Sequence, residues 1–202
     1  MGREAHRRII LLTPFLIVQL FILLNPLTAA PFLITLHKRG VNVRKVATSA
    51  VLTAFLVALF IAVAGKYLFE LFGITQHSFR VAGGIVILLL GLETIRGEED
   101  KPLQGGLDNF IAILATPILT GPATMSFITL KAYEIGVLPL ILHLLLAFVG
   151  VAGVMFALCA SLDKINTRLI GIVSRILGLF LTAMAVEMIA VGLTGLIQAA
   201  KP

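Results

Sequence analysis

Two prolines five residues apart occur twice in the chain, each time inside a long apolar stretch. The first pair lies in NPLTAAPF, residues 25–32, and the second in TPILTGPA, residues 116–123. Proline has no N–H, and its ring clashes with the carbonyl four residues earlier, so each pair predicts an interrupted helix. An interruption leaves backbone N–H and C=O groups unpaired, and such groups bind small polar ligands.

The chemistry of these groups favours a ligand that carries both charges. The N–H groups of a helix that restarts attract a carboxylate, whereas the carbonyls at the broken end suit an ammonium group or a cation. Most side chains in both segments are short, which leaves little room for a ligand side chain. A small neutral amino acid fits this pattern. The alternative is structural. The prolines then only kink the helices, and hydroxyl groups and neighbouring helices form hydrogen bonds with the freed backbone groups.

The elements that carry these segments are predicted to cross a membrane. The chain has 202 residues, of which 59% are hydrophobic and 13% charged, far from the composition of a soluble domain. Six apolar stretches are long enough to span a bilayer, at residues 8–36, 44–72, 78–96, 107–130, 136–160 and 169–198. We therefore expect one all-α integral membrane domain over residues 1–202, with helices 1 and 4 discontinuous.

An internal repeat relates the two halves. Besides the proline pairs, RVAGGIVILLLGLE from Arg80 and RILGLFLTAMAVE from Arg175 share an arginine, a glycine and a glutamate in the same order. The repeats cover residues 1–96 and 107–202, joined by a linker at 97–106. Each repeat has three spans, an odd number, so the second is inserted in the opposite orientation. Inverted repeats with interrupted helices are typical of secondary transporters.

Charge and cysteine content indicate location rather than chemistry. The net charge of +6 comes from basic residues between spans, so we interpret it as a topology signal and not as a nucleic-acid surface. The cluster HKRGVNVRK, residues 37–45, favours a cytoplasmic first loop and external termini of a protein in the cytoplasmic membrane. Cys159 has no partner for an internal disulfide and is expected to pack.

Ionisable residues within spans are candidates for energy coupling. Glu187 is a proton carrier, an arginine partner or a residue facing a watery vestibule. Glu93 is a possible coupling residue, although a solvated pair with Arg96 is the favoured interpretation, and His143 is expected to pack. No cofactor is expected, and either a proton or sodium remains possible as coupling ion. No sequence motif of an enzyme is found, so catalysis is not expected.

The segments NPLTAAPF, FGITQHSFRVAGGIVILLLG, ATPILTGPAT and IVSRILGLFLTAM resemble the MarC family of six-span membrane proteins, whose members include small neutral amino acid transporters of the SnatA type. The resemblance implies transport of glycine and alanine across the bilayer, with the substrate held at the breaks of helices 1 and 4. The binding residues that it implies are Asn25, Pro26, Leu27 and Thr28, followed by Thr116, Pro117, Thr120, Gly121, Pro122, Ala123 and Thr124.

Two points modify this expectation. Many relatives read Gly-Pro-Gly in the second motif, where this chain has Gly-Pro-Ala at residues 121–123. The extra methyl group narrows the site or shifts its substrate preference. An exporter or a passive channel for another small polar solute is the alternative function, because broken half-helices also line pores. The sequence does not predict the oligomeric state.

Overall fold

The computed structural model describes residues 14–97, 121–162 and 166–200, and these residues are helical with short connections. Within these ranges there is no strand, so the predicted all-helical class is confirmed. The helices are α1 at residues 14–24, a 3-10 turn at Pro26–Ala29, α2 at Ala30–Lys38, α3 at Val43–Phe72, α4 at Gln76–Arg96, α5 at Pro122–Ile135, α6 at Val137–Ser161 and α7 at Thr167–Ala199.

Within the described ranges, five helical segments are long and apolar enough to cross a membrane. They are Pro14–Lys38, Val43–Gly65, Gln76–Arg96, Val137–Ser161 and Arg168–Ala199. These correspond to five of the six predicted spans and confirm the membrane class. The predicted fourth span begins in residues outside the described ranges, and its described part is α5.

The ends of these helices follow from local sequence. The side chain of Thr75 accepts from the N–H of Ser78 at 3.1 Å and starts α4, while Asn166 accepts from the N–H of Arg168 at 3.0 Å before α7. Gly97 ends α4 with a φ of 74°, a conformation that glycine adopts without strain. Turn chemistry therefore explains why these spans begin and end where they do.

Small residues allow α4 and α7 to pack closely. A Cβ atom added to Gly91 would lie 2.9 Å from the backbone nitrogen of Thr182 and 3.0 Å from the carbonyl oxygen of Gly178. A Cβ atom on Gly84 would lie 2.7 Å from Cγ1 of Ile189. Gly84, Gly91 and Gly178 are therefore packing residues, as expected for helices that meet within a bilayer.

An alanine stripe does the same for α3, which packs against α5 and α6. Ala50, Ala54, Ala58 and Ala62 are all fully buried, with exposures of 0%. This stripe is therefore a packing face. Large apolar side chains cover much of the outer surface, as Leu138, Leu71 and Phe60 illustrate with exposures of 81%, 76% and 69%. Such a surface suits lipid rather than water.

Candidate functional site

The regular hydrogen bonding of the first span changes at Asn25. This residue has φ 36° and ψ 66°, and it is the one non-glycine residue with positive φ within the described ranges. The N–H of Thr28 donates to the carbonyl of Asn25 at 3.2 Å, and the Thr28 hydroxyl donates to the same oxygen at 2.8 Å. Pro26 supplies no N–H to the preceding turn. The chain therefore passes through a 3-10 turn before α2 begins at Ala30.

The side chain of Asn25 is buried without a complete set of partners. Its exposure is 4%, and its Oδ1 atom receives no hydrogen bond from any residue that the structure describes. A buried acceptor without a donor costs about 1–3 kcal/mol. Native proteins rarely keep such a group without a reason. A donor from a ligand would satisfy it.

A cavity of about 180 Å³ lies beside this turn. The first span contributes Leu27 and Thr28 to its wall, together with Ala30 and Pro31. The remaining wall is formed by Thr94 and Gly97 of α4 and by Ile170, Gly171, Ser174 and Arg175 of α7. Sequence reasoning missed Thr94 and Ser174, because only the tertiary packing brings the end of α4 and the start of α7 to the turn.

The second proline motif is described from Gly121 onward, where α5 begins. Gly121 is extended at φ −71° and ψ 177°, and it has no side chain that could cap the helix. The first hydrogen bond joins the N–H of Met125 to the Gly121 carbonyl at 3.0 Å. The N–H groups of Ala123 and Thr124 therefore precede the helical hydrogen bonds, and both residues are buried, at 3% and 2% exposure. Thr116, Pro117 and Thr120 lie outside the described residues.

A second cavity, of about 260 Å³, adjoins this helix start. Its wall contains Gly121, Pro122, Ala123 and Thr124, and Val86, Leu89, Leu90 and Glu93 of α4 complete it. Glu93 is exposed and lines the cavity at the start of α5, and its solvated pair with Arg96 stays a prediction.

The described residues of the two proline motifs line two separate cavities, and both cavities adjoin the C-terminal end of α4. Leu90 and Glu93 belong to the cavity at α5, whereas Thr94 and Gly97 belong to the cavity at the 3-10 turn. Asn25 and Pro26 line neither cavity. The structure thus gathers the described motif residues around the last turns of α4, without merging them into one cavity.

A third cavity, of about 530 Å³, lies near the other end of α4. The Arg80 guanidinium donates to Glu134, and Lys131 Nζ donates to the other Glu134 oxygen at 2.7 Å. Glu187 also lines this cavity, so the vestibule interpretation of this residue is the one that the structure favours. His143 is buried at 8% exposure, with Nδ1 2.6 Å from the Pro139 carbonyl oxygen, and this contact confirms its packing role.

The described helices are long and apolar, the outer surface is largely apolar, and polar groups line the cavities. These features define a multi-pass integral membrane protein. This is consistent with location in the cytoplasmic membrane. The family model described as "MarC family integral membrane protein" matches residues 12–197 of this chain. The chain therefore belongs to the MarC family.

Relatives extend over nearly the whole chain. A UPF0056 membrane protein of Methanocaldococcus jannaschii is 33% identical over 191 residues, which cover 88% of this chain and 93% of the relative. The UPF0056 membrane protein YvbG of Bacillus subtilis is 29% identical over 200 residues, covering 89% and 92%. One from Pyrococcus abyssi is 30% identical over 194 residues, covering 89% and 93%. No solved structure shows a significant match.

Proposed function

We propose that this protein is a secondary transporter of small neutral amino acids, glycine and alanine, that binds its substrate at the two helix breaks and works by alternating access. The observation that carries the proposal is Asn25, a buried side chain in a left-handed conformation whose amide oxygen has no donor among the described residues. A strained and unsatisfied group of this kind is typical of a ligand site.

The amide oxygen of Asn25 suits the ammonium group of the substrate. An ammonium group has three donors and no acceptor, so it can satisfy a buried carbonyl-type oxygen directly. The neighbouring Thr28 hydroxyl already donates to the Asn25 carbonyl and holds the turn in place. Because Asn25 lines neither cavity in the described structure, the substrate reaches the amide only after the two halves move against each other.

The start of α5 suits the carboxylate. The N–H groups of Ala123 and Thr124, which no described side chain caps, point out of the first turn of a 14-residue helix, where the helix dipole favours negative charge. A zwitterion of glycine size supplies one group for each break. Under this proposal Thr116, Pro117 and Thr120, which lie outside the described ranges, belong to the same binding segment.

The size of the cavities supports a small substrate. The two cavities at the motifs measure about 180 and 260 Å³, and Ala29 and Ala30 at the first break are buried at 0% and 1% exposure. Glycine and alanine fit within either cavity.

The helix contacts support the inverted repeat that alternating access uses. The order of the helices in the two proposed repeats makes α3 equivalent to α6 and α4 equivalent to α7. Each of these pairs is in contact, as expected if both pairs lie beside a two-fold axis in the membrane plane. In such transporters the substrate site lies between the repeats and the two halves move against each other.

Two coupling ions are compatible with the cavities. Glu93 and Glu187 each line a cavity and can carry a proton, whereas the carbonyl and hydroxyl groups of the breaks can bind sodium. Both possibilities belong to the proposal, and the transport measurement that closes the Discussion distinguishes them.

Competition binding tests the two charged contacts. We expect glycine ethyl ester, which keeps the ammonium group but has no carboxylate charge, to compete with radiolabelled glycine at least about tenfold more weakly than glycine does, because it loses a charge-assisted hydrogen bond of about 1.5–3 kcal/mol. Trimethylglycine, which keeps the carboxylate but has no N–H donor, should also compete weakly. Alanine is the positive control. Equal competition by the ester and glycine would contradict the role of the α5 start.

A further inference from the structure

The third cavity is separate from the helix breaks. Its walls come from Phe15 and Gln19 of α1, from Arg80 near the start of α4, and from residues of α5 and α7. Arg80 precedes Thr94, which borders the cavity at the first break, by 14 residues along α4. At a rise of 1.5 Å per residue these positions are about 20 Å apart. The third cavity therefore lies toward the opposite membrane face.

One wall of this cavity carries an excess of positive charge. Arg80 and Lys131 share the carboxylate of Glu134, and the three side chains keep 15%, 24% and 21% exposure. Two cations and one carboxylate leave one positive charge without a counter-charge. This remaining positive charge can attract an anionic group that enters the cavity.

Another wall carries a carboxylate. Glu187 is exposed within the long spanning helix α7, and among the described residues it takes part in no ion pair. A carboxylate in a spanning segment faces water or a partner, not hydrocarbon. Since Glu187 lines the cavity, it presents an acceptor for a cationic group there.

The rest of the lining is apolar and the volume is generous. Phe15, Phe127, Leu130, Met184, Met188 and Val191 line the cavity. Its volume of about 530 Å³ is twice that of the cavity at the α5 start and lies in the usual range of small-molecule sites. There is space for a side chain as well as for two charged groups.

We infer that the third cavity is a second amino acid site, which binds a free neutral amino acid with an apolar side chain of leucine or methionine size. The carboxylate lies toward Arg80 and Lys131, the ammonium group lies toward Glu187, and the side chain packs on the apolar wall. The inference rests on the proposed function for the class of ligand, but it assigns a separate location and a larger side chain.

The depth of Glu187 favours a free amino acid over a zwitterionic lipid headgroup. Glu187 lies eight residues before Gly195, which meets His77 at the start of α4, so it is about 12 Å along the helix axis from the level at which that span begins. Lipid headgroups stay at the interface, whereas the hydrocarbon core is about 30 Å thick. A soluble zwitterion can reach this depth through a watery cavity.

Binding of radiolabelled leucine and of radiolabelled glycine to the full chain in phosphatidylcholine nanodiscs tests the inference. We expect Glu187→Gln to weaken leucine binding at least about tenfold, because it removes one charge-assisted contact. The matched control is Thr194→Val on the same helix, whose exposed hydroxyl donates to the Ala190 carbonyl and which does not line the cavity. It should leave both affinities unchanged.

A second variant guards against loss of folding. Lys131→Gln keeps the pair between Arg80 and Glu134, and we expect it to weaken leucine binding several-fold with an unchanged melting temperature. Unaltered leucine affinity in both variants would overturn the inference. Full displacement of leucine by glycine at one site per chain would also overturn it, because the two ligands would then share a site.

The remaining outcomes separate this inference from the proposed function. Glycine binding without leucine binding would overturn the second site and leave the proposed function standing, whereas binding of neither would overturn both. Native mass spectrometry tests whether a lipid headgroup occupies the cavity instead. If the native chain retains phosphatidylethanolamine, Glu187→Gln loses it and neither binds leucine, the cavity is a headgroup site.

Discussion

Asn25 combines three properties that oppose stability: a left-handed backbone, burial and an amide oxygen without a donor among the described residues. Asparagine tolerates this conformation better than most residues, because its short polar side chain can bond locally. The proline pair predicted an irregular segment here. The partners across the cavity, Thr94 and Ser174, were beyond sequence reasoning, because they are distant along the chain and belong to no motif.

Substitution of Asn25 separates stability from binding. We expect Asn25→Gly to raise the free energy of unfolding by roughly 1 kcal/mol, because glycine adopts positive φ freely and the unsatisfied oxygen is removed. Glycine affinity should fall about tenfold or more. Thermal unfolding in detergent and equilibrium binding measure the two effects.

Asn25→Ala is the control for this substitution. It removes the same oxygen but keeps a Cβ atom in the left-handed conformation, so it should lose binding and be less stable than Asn25→Gly. A glycine variant that binds as tightly as the native protein would contradict the ligand role of the amide.

At the scale of elements, close packing of α4 on α7 fixes the cavities at both ends of α4. Hydropathy alone located the spans, since long apolar stretches have few alternatives in a bilayer. Which helices would meet at small residues such as Gly84 and Gly178 could not be read from the sequence, because a small-residue face fits many partners. Glu93 was paired with Arg96 from their spacing along the chain, whereas the cavity beside α5 that it lines depends on tertiary packing.

Glycine-to-alanine substitutions test this packing. In Gly91→Ala the new methyl group would meet backbone atoms of α7 at 2.9 and 3.0 Å, so we expect a loss of about 1–3 kcal/mol in unfolding free energy. Gly153→Ala is the matched control on α6, because nothing lies within 4 Å of its added Cβ atom. It should be neutral or gain up to about 1 kcal/mol from helix propensity. Equal melting temperatures of the two variants would show that the α4–α7 contact is looser than described.

At the scale of the whole molecule, the order of the sequence motifs predicts two repeats, and α3 contacts α6 while α4 contacts α7. An odd number of spans in each half predicts the inverted orientation from counting alone. Residues 98–120, with most of the linker and the first proline of the second motif, lie outside the described ranges. The inverted repeat, the discontinuity of helix 4 and the external termini therefore stay predictions. Membership of the MarC family rests on a match over residues 12–197.

The most direct test of the account is uptake of radiolabelled glycine into liposomes that contain the purified chain, with proton and sodium gradients imposed independently. We predict saturable uptake that one of the two gradients stimulates, that excess alanine inhibits and that Asn25→Ala abolishes. Flux that does not saturate would indicate a channel instead. Absence of uptake by the folded protein under either gradient would contradict the proposed transport of small neutral amino acids.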